Sequence, residues 1–232
     1  MKIGFDIISD LNLSPDDSFN WEGKVTSLYC VVAGNISSDL RTVTSVLTHL
    51  SKLYQGVFYT IGSLEYASVS NIEARTKDLL QICKKIRNVA VLHHHVVILD
   101  GVAILGCNGW YCTATAPDSE TSLQIRIHQL ADITYLKNSI ERLQRHPDVT
   151  NILLVTNSVP GPGLYFGEQP DNTEDHLAPD LVLYADTQTK ITHWAFGTHT
   201  KIVDTEINGI NYINNPKLTR NPYWAKRIEI ER

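Results

Sequence analysis

The sequence has 232 residues, 43% hydrophobic and 19% charged, so it can bury a sizeable core as one large domain or at most two small ones. Twenty Lys and Arg against 25 Asp and Glu give a net charge of −5, which disfavours a general nucleic-acid-binding protein that works through a basic surface. Asp6 interrupts the apolar N-terminus, and no run reaches the ~20 apolar residues of a membrane span. We therefore expect a soluble, cytoplasmic protein without a membrane segment.

The first part of the chain alternates short apolar runs with amphipathic segments. The apolar runs, rich in β-branched residues, predict three buried strands, over residues 3–8, 28–33 and 57–61. Apolar residues spaced three and four apart predict a helix over 38–54, with Ser37 or Ser38 as its N-cap. A second helix is predicted over about 69–87.

The middle of the chain indicates a sheet of mixed direction. Three short runs predict strands, over 89–92, 95–99 and 102–106. Asp100-Gly101 predicts a tight hairpin turn between the last two strands. Apolar spacing predicts a helix over 123–146, which Pro147 ends, and a buried strand follows over 151–156.

The last part of the chain begins with residues 157–175, whose prolines and glycines predict a long surface loop with a functional role. Four strands are predicted after it, at about 191–196, 201–207, 210–214 and 227–231. Asn208-Gly209 predicts a hairpin turn between two of them. Because no repeat or linker interrupts the chain, we expect one α/β domain over 1–232, with a sandwich-like sheet core.

Polar turns follow five of the predicted strands, where the reactive groups of open α/β folds collect. They are Ser9-Asp10-Leu11-Asn12, Gly34-Asn35-Ile36-Ser37, Gly62-Ser63-Leu64-Glu65-Tyr66, Thr156-Asn157-Ser158 and Gly197-Thr198-His199-Thr200. In order and spacing these turns resemble the five signature blocks of the calcineurin-like metallophosphoesterases: Asp-x-His, Gly-Asp, Gly-Asn-His-Glu, a single His after a strand, and Gly-His-x-His. The resemblance covers nearly the whole chain. It implies a metallophosphoesterase-like β-sandwich of mixed sheets flanked by helices.

The resemblance also implies the position of a two-metal site, and most of its residues are replaced in this sequence. Asp10 keeps the family's carboxylate, and Leu64 stands at the position of the catalytic His. The other metal-ligand positions hold neutral residues, namely Asn12, Asn35, Ser63, Asn157, Thr198 and Thr200. Asn, Ser and Thr oxygens compete weakly with water for dications, and Leu cannot transfer a proton. We therefore expect neither a metal cofactor nor a catalytic residue.

The function predicted on this basis is that of a pseudoenzyme, a protein-interaction, assembly or structural component. The alternative is a weakly active or unusual phosphoesterase that binds Mn²⁺ or a similar divalent metal through Asp10 and substitute ligands. A one-residue slip that brings His199 inward is one route to such a ligand. A phosphate sensor is disfavoured because none of the five turns contains Lys or Arg.

Two further features bear on partners. Tyr165 and Phe166 are large aromatic residues in the 157–175 loop, and they predict either an interaction loop or a lid over the emptied pocket. A protein partner or a homo-oligomer is expected, without membrane or direct nucleic-acid binding, and the protein would be a virion component if its source is viral. The adjacent His93, His94 and His95 are interpreted as a polar turn or edge rather than a metal site.

Overall fold

Two β-sheets with helices on their outer faces form the architecture. The computed structural model describes residues 2–67, 69, 71–110, 120–165, 179–219 and 222–232, with the backbone alone at 120–122, 165, 179, 180 and 183. This arrangement confirms the predicted α/β fold of mixed sheets flanked by helices.

The first sheet joins the N-terminal strands to the C-terminal one. Its strands, in spatial order, are β11 (Lys226–Glu231), β1 (Lys2–Ile8), β2 (Tyr29–Ala33), β3 (Gly56–Thr60) and β4 (Val89–Val91). Strands β1 to β4 are parallel, whereas β11 pairs antiparallel with β1, with Lys2 opposite Glu231. The carboxyl ends of β1, β2 and β3 therefore lie along the same edge of the sheet.

The second sheet is built on a parallel centre with an antiparallel hairpin at each side. Its strands, in spatial order, are β5 (His95–Leu99), β6 (Val102–Cys107), β7 (Asn151–Thr156), β8 (Ile191–Phe196), β10 (Ile210–Asn214) and β9 (Val203–Ile207). Both predicted hairpin turns are confirmed, because Asp100-Gly101 and Asn208-Gly209 have positive φ and join antiparallel neighbours.

Helices cover the outer faces of the sheets. They are α1 (Leu40–Leu53), α2 (Ile72–Lys84), α3 (Glu120–Gln144) and α4 (Pro179–Ala185), with short 3-10 helices at Leu64–Tyr66 and Pro162–Tyr165. The N-cap of α1 is Asp39 rather than Ser37 or Ser38, and its carboxylate accepts a hydrogen bond from Thr42 N at 2.8 Å. Ser37 is instead buried, and its hydroxyl donates to Leu13 O. In the described chain, no helix is long and apolar enough to cross a membrane.

Three apolar clusters hold these layers together. One lies between the two sheets and includes Phe5 and Val31 of the first sheet and Ile104, Leu153 and Ala195 of the second. Each of the other two clusters packs one sheet against its helices. Because the middle cluster excludes water between the sheets, it brings the strand ends of both sheets into one polar edge.

Part of the prediction for 157–175 is wrong. Asn157, Ser158 and Val159 are at most 1% exposed, so the segment starts inside the protein rather than on its surface. The reason is that Asn157 N and Ser158 N both donate to Asn108 O, which ties the end of β7 to the end of β6. Phe166 and the side chain of Tyr165 lie outside the part of the chain that the structure describes.

Candidate functional site

The five polar turns meet where the two sheets adjoin. The Asn157 amide, at the end of β7, donates to Ala33 O at the end of β2 at 3.2 Å. Gly34 and Gly62 approach so closely that a Cβ built on Gly34 would lie 2.8 Å from Gly62 Cα. Gly34 also has a φ of +78°, which favours glycine at this point. The close approach fixes the positions of the neighbouring Asn and Ser residues.

A hydrogen-bonded core joins the first, second and fifth turns. Asn35 Nδ2 donates to Asp10 Oδ1 at 2.8 Å and to Thr198 Oγ1 at 3.3 Å. The backbone N–H of Thr198 donates to the same Asp10 oxygen at 2.9 Å. Asp10 and Asn35 are 3% and 7% exposed, so the bonds lie largely out of water. The Asn35 amide thus links the carboxylate of one sheet to the turn of the other.

The third and fourth turns join the same network through amide oxygens. Asn157 Oδ1 accepts from Ser63 N at 2.9 Å and from the Thr198 hydroxyl at 3.0 Å. Asn35 Oδ1 accepts from Leu64 N at 2.9 Å and from the Ser63 hydroxyl at 3.3 Å. The polar groups at these positions therefore satisfy one another.

Not every predicted position takes part in this network. Asn12 is exposed, and its amide donates within its own turn to Asp10 O at 3.2 Å. Thr200 is exposed as well. At the next position, His199 Nδ1 accepts from Lys201 N at 2.9 Å, while Thr198 is the residue of this turn that bonds to Asp10 and Asn157. The turn therefore lies in the register without the slip.

Glu65 has a structural role that the sequence reading did not identify. Its carboxylate is 1% exposed and accepts backbone N–H groups from Ile36 at 2.6 Å, Gly62 at 2.9 Å and Asn35 at 3.2 Å. Burial raises the pKa of Glu65, although these hydrogen bonds oppose the rise. Through these hydrogen bonds, the Glu65 carboxylate of the third turn holds the backbone of the second turn in place.

Asn108, at the end of β6, is a second residue that the sequence reading missed. It is 4% exposed, and its amide donates to Ile61 O at 2.9 Å across the two sheets. Its carbonyl accepts from the fourth turn, as described above. An Asn two positions after the predicted strand over 102–106, and directly before Gly109, is the signal that could have identified it.

The Asp10 carboxylate is only half satisfied. Oδ1 accepts the two hydrogen bonds from Asn35 and Thr198, whereas buried Oδ2 has no hydrogen-bond partner in the described chain. Burial raises the pKa of Asp10 from 3.8 to about 6, and the hydrogen bond from Thr198 N opposes this rise. A buried carboxylate is therefore kept near the middle of its titration at mildly acidic pH.

This pKa predicts a fall in stability as the pH rises. Below pH 3.8 the carboxyl is protonated in both the folded and the unfolded state; between 3.8 and about 6 only the unfolded chain ionises. The free energy of unfolding should fall by up to ~3 kcal/mol across that window and then level off. Asp10→Asn keeps the Oδ1 acceptor, tolerates the φ of 50° at this position, and removes the charge.

Urea denaturation of both proteins between pH 4 and pH 7.5 measures this effect. The difference in free energy of unfolding, Asp10→Asn minus wild type, should increase with pH by up to ~3 kcal/mol. Contributions from other titrating groups cancel in this difference. A difference that does not change with pH would contradict the assigned burial of the Asp10 charge.

Backbone strain is concentrated at the site. Asp10, Asn12, Asn35 and Thr198 all have φ between 47° and 57°. Asn and Asp tolerate the left-handed region, but a β-branched Thr does so at an expense of about 1–3 kcal/mol. At Thr198 the two hydrogen bonds to Asp10 and Asn157 hold the strained conformation.

The donor set does not fit a two-metal centre. The amide oxygens of Asn35 and Asn157 each accept two hydrogen bonds, so coordination would break the network. Asp10 supplies the single carboxylate of the hydrogen-bonded core, and two dications need more anionic or imidazole ligands than that. Among the residues that the structure describes, no group of three or more His, Cys, Asp and Glu is arranged to hold a metal.

The three adjacent histidines form a separate feature. His93 and His94 lie in the turn between β4 and β5, with their rings stacked, which agrees with the interpretation as a polar turn. His94 Nε2 contacts Asp132 Oδ1 of α3 at 2.6 Å, and Asp132 Oδ2 accepts from Gly109 N at 2.7 Å. Asp132 therefore ties α3 both to the turn between β4 and β5 and to the segment that follows β6, a role that the sequence did not predict.

Comparisons with known proteins support the fold. The chain is similar to phosphopantetheinyl hydrolase from Mycobacterium tuberculosis, with a TM-score of 0.62 and 14% identity over 98% of this chain and 96% of that one. It is also similar to a putative 5′-nucleotidase from Staphylococcus aureus, with a TM-score of 0.58 and 11% identity over 100% of this chain and 51% of that one. A third similar structure is GAP50 of Plasmodium, with a TM-score of 0.56 and 9% identity over 93% of this chain and 72% of that one. No protein-family model matches the sequence, and no curated protein does. The likeness is therefore one of fold.

Proposed function

We propose that this chain is a non-catalytic metallophosphoesterase-like protein, a pseudoenzyme that serves as an interaction, assembly or structural component. The observation that carries the proposal is the closed hydrogen-bond network between Asp10, Asn35, Ser63, Asn157 and Thr198. Apart from Asp10 Oδ2, the side-chain oxygens of these residues are engaged with one another inside the site, where phosphoester hydrolysis by this fold would require metals and a bound substrate.

The chemistry of the remaining residues supports the same conclusion. Leu64 contributes only its backbone N–H to the network, and its side chain can neither donate nor accept a proton. The carboxylate that remains, Asp10, is held by two donors, and its protonation is favoured by burial. Activating a water molecule at phosphorus in this fold requires a strong Lewis acid, and these groups do not assemble a metal site. The one group among them that can accept a proton is Asp10, and it is only 3% exposed.

The fold neighbours carry different descriptions. Two of them are described as a hydrolase and a putative nucleotidase, whereas GAP50 is described as an anchor in the inner membrane complex of Plasmodium. That description supports an architectural use of the same fold. We propose that this chain binds a protein partner or a second copy of itself, and that Tyr165 and Phe166 form the interaction loop.

We also propose the domain extent, the location and the absence of nucleic-acid contact that go with this function. We propose that residues 1–232 act as a single domain, because the middle apolar cluster combines side chains from both sheets. We propose a cytoplasmic location, or a virion if the source is viral, and no direct contact with nucleic acid, because the net charge is −5.

The alternative, a weakly active phosphoesterase with Mn²⁺ or a similar metal at Asp10, is favoured by one observation. Asp10 Oδ2 is buried without a hydrogen-bond partner among the described residues, so it could accept a cation. Against it stands the neutrality of Asn35, Ser63 and Thr198 around that carboxylate. We therefore place this activity second.

Hydrolysis of 4-nitrophenyl phosphate and bis(4-nitrophenyl) phosphate with Mn²⁺, Ni²⁺, Zn²⁺ or Mg²⁺ separates the two functions. We expect no metal-dependent turnover by the wild type and no stoichiometric metal uptake in calorimetry. Metal-dependent turnover that Asp10→Ala abolishes would establish the alternative. A revertant serves as the positive control and should bind two metals; it carries Asn12→His, Asn35→Asp, Ser63→Asn, Leu64→His, Asn157→His, Thr198→His and Thr200→His.

A further inference from the structure

A cavity of about 400 Å³ lies beside the loop that follows β1, outside the network of the five turns. Its lining comes from two loop segments and consists of Leu13, Ser18, Phe19, Asn20, Trp21, Lys24, Lys217, Leu218, Thr219 and Tyr223. None of these residues belongs to the candidate site described above. The volume falls within the range of small-molecule sites, and the lining combines aromatic side chains with hydroxyl, amide and ammonium groups.

The aromatic part of this lining is held rigidly. Trp21 is 1% exposed, its Nε1 donates to Tyr54 Oη at 2.7 Å, and Tyr54 Oη donates to Asp6 Oδ2 at 2.8 Å. Phe19 stacks on Trp21 with ring centroids 5.8 Å apart. Tyr223 is 4% exposed and donates its hydroxyl hydrogen to Asn215 O at 2.6 Å. A preformed aromatic wall reduces the entropy lost when a flat ring binds.

The two charged side chains that line this cavity in the described part of the chain, Lys24 and Lys217, are both positive. Lys24 Nζ lies 5.1 Å from the centroid of the Trp21 ring and 5.9 Å from that of the half-exposed Trp224. Within the described residues, neither Lys24 nor Lys217 is in an ion pair, and no acidic side chain lines the cavity. In a chain with a net charge of −5, two ammonium groups without carboxylate partners form a local anion-attracting region.

The neighbouring cavity shows the opposite charge. It has a volume of about 420 Å³, shares Phe19, and is lined by Asp16, Asp17 and Asp39 beside a single Arg41. An anionic ligand is therefore repelled from that cavity and attracted to the one that holds the two lysines. The charge of a ligand, as well as its shape, therefore decides which of the two cavities it binds.

We propose that the cavity of Lys24 and Lys217 binds a small aromatic anion, a flat ring system that carries a carboxylate or a phosphate. The ring contacts Phe19 and Tyr223, and the anionic group lies between the two ammonium groups. The hydroxyl and amide groups of Ser18, Asn20 and Thr219 offer further hydrogen bonds at the rim. This site is independent of the pseudoenzyme proposal, since it uses none of those residues.

Binding is tested with three matched probes, 1-naphthyl phosphate, 1-naphthoate and neutral 1-naphthol, by calorimetry and by the indole N–H signals of Trp21 and Trp224 in NMR spectra. At least one anion should bind saturably and shift the Trp21 signal, and 1-naphthol should bind about tenfold more weakly or not at all. The stronger of the two anions identifies the preferred group.

Three lysine variants separate the site from a general charge effect. Lys24→Met and Lys217→Met should each weaken binding by about tenfold, because each removes one ammonium group and keeps an apolar side chain. Lys77→Met, at an exposed position of α2, makes the same change in net charge and should leave affinity within about twofold. Thermal unfolding verifies that each variant is folded.

Three results would overturn the proposal. These are no saturable binding of either anion up to about 1 mM, equal binding of 1-naphthol, and equal binding by folded Lys24→Met and Lys217→Met proteins. The readout does not depend on hydrolysis or metals, so failure here is distinguishable from failure of the proposed function.

Discussion

Gly62→Ala should destabilise the protein by ~3 kcal/mol or more, because an added Cβ would enter the junction of the second and third turns. That Cβ would lie 2.2 Å from Asn35 N, 2.5 Å from Asn35 Oδ1 and 2.7 Å from Glu65 Oε2. The first of these atoms is backbone, so relief requires the turns to separate and the buried hydrogen bonds of Glu65 to break. Urea denaturation at constant pH measures the loss.

Gly163→Ala is the matched control for this change. Among the described residues, a Cβ on Gly163 would meet no atom within 4 Å, so the same substitution should change the free energy of unfolding by less than about 0.5 kcal/mol. If Gly62→Ala were as mild as Gly163→Ala, the close approach of the two turns would be wrong.

Glu65→Gln should destabilise the protein by about 2–4 kcal/mol, although the side chain changes little in size. In wild type, Oε1 accepts from Ile36 N, and Oε2 accepts from Gly62 N and Asn35 N. Whichever way the Gln amide is oriented, its NH₂ group faces at least one buried backbone N–H, and that donor loses its acceptor. Chemical denaturation gives the magnitude.

Two comparisons make this second experiment specific. Glu22→Gln alters an exposed carboxylate and should change stability by no more than about 0.5 kcal/mol. Glu65→Ala should be worse than Glu65→Gln, because it removes the acceptors for all three N–H groups and leaves a cavity. Equal stability of wild type and Glu65→Gln would rule out the fastening role of this carboxylate.

The strands and hairpins could be predicted because their signals are local. Buried β-branched runs identified β1, β2 and β7. The residue types of Asp100-Gly101 and Asn208-Gly209 alone marked the hairpin turns of β5–β6 and β9–β10. The helix α4 was not predicted, since seven residues give too few turns for a periodic pattern.

The site was predictable in position but not in its internal contacts. The order of the five turns placed Asp10, Asn35, Ser63, Asn157 and Thr198 near one another, and the structure brings these five together. Asn12 and Thr200 belong to the same turns but are exposed. Which member of a turn faces inward depends on backbone conformation, here positive φ at several positions, and residue type does not specify it.

Contacts between remote segments were the least predictable. Glu65 binds backbone groups of another turn, and Asn108 binds the backbone of both sheets. Backbone N–H and C=O groups are present at every residue, so no sequence pattern marks which of them will accept a distant side chain. The same reasoning applies to the pairing of His94 with Asp132.

The antiparallel pairing of β1 with β11 has a consequence for the order of folding. β1 gains its second neighbour only when residues 226–231, more than two hundred positions later, are available. Loop closure over such a distance is slow, so the first sheet is completed last during synthesis. Until then β1 is an open edge with unpaired N–H and C=O groups, able to pair with another nascent chain. The time between the synthesis of β1 and that of β11 therefore governs how long the growing protein is exposed to aggregation.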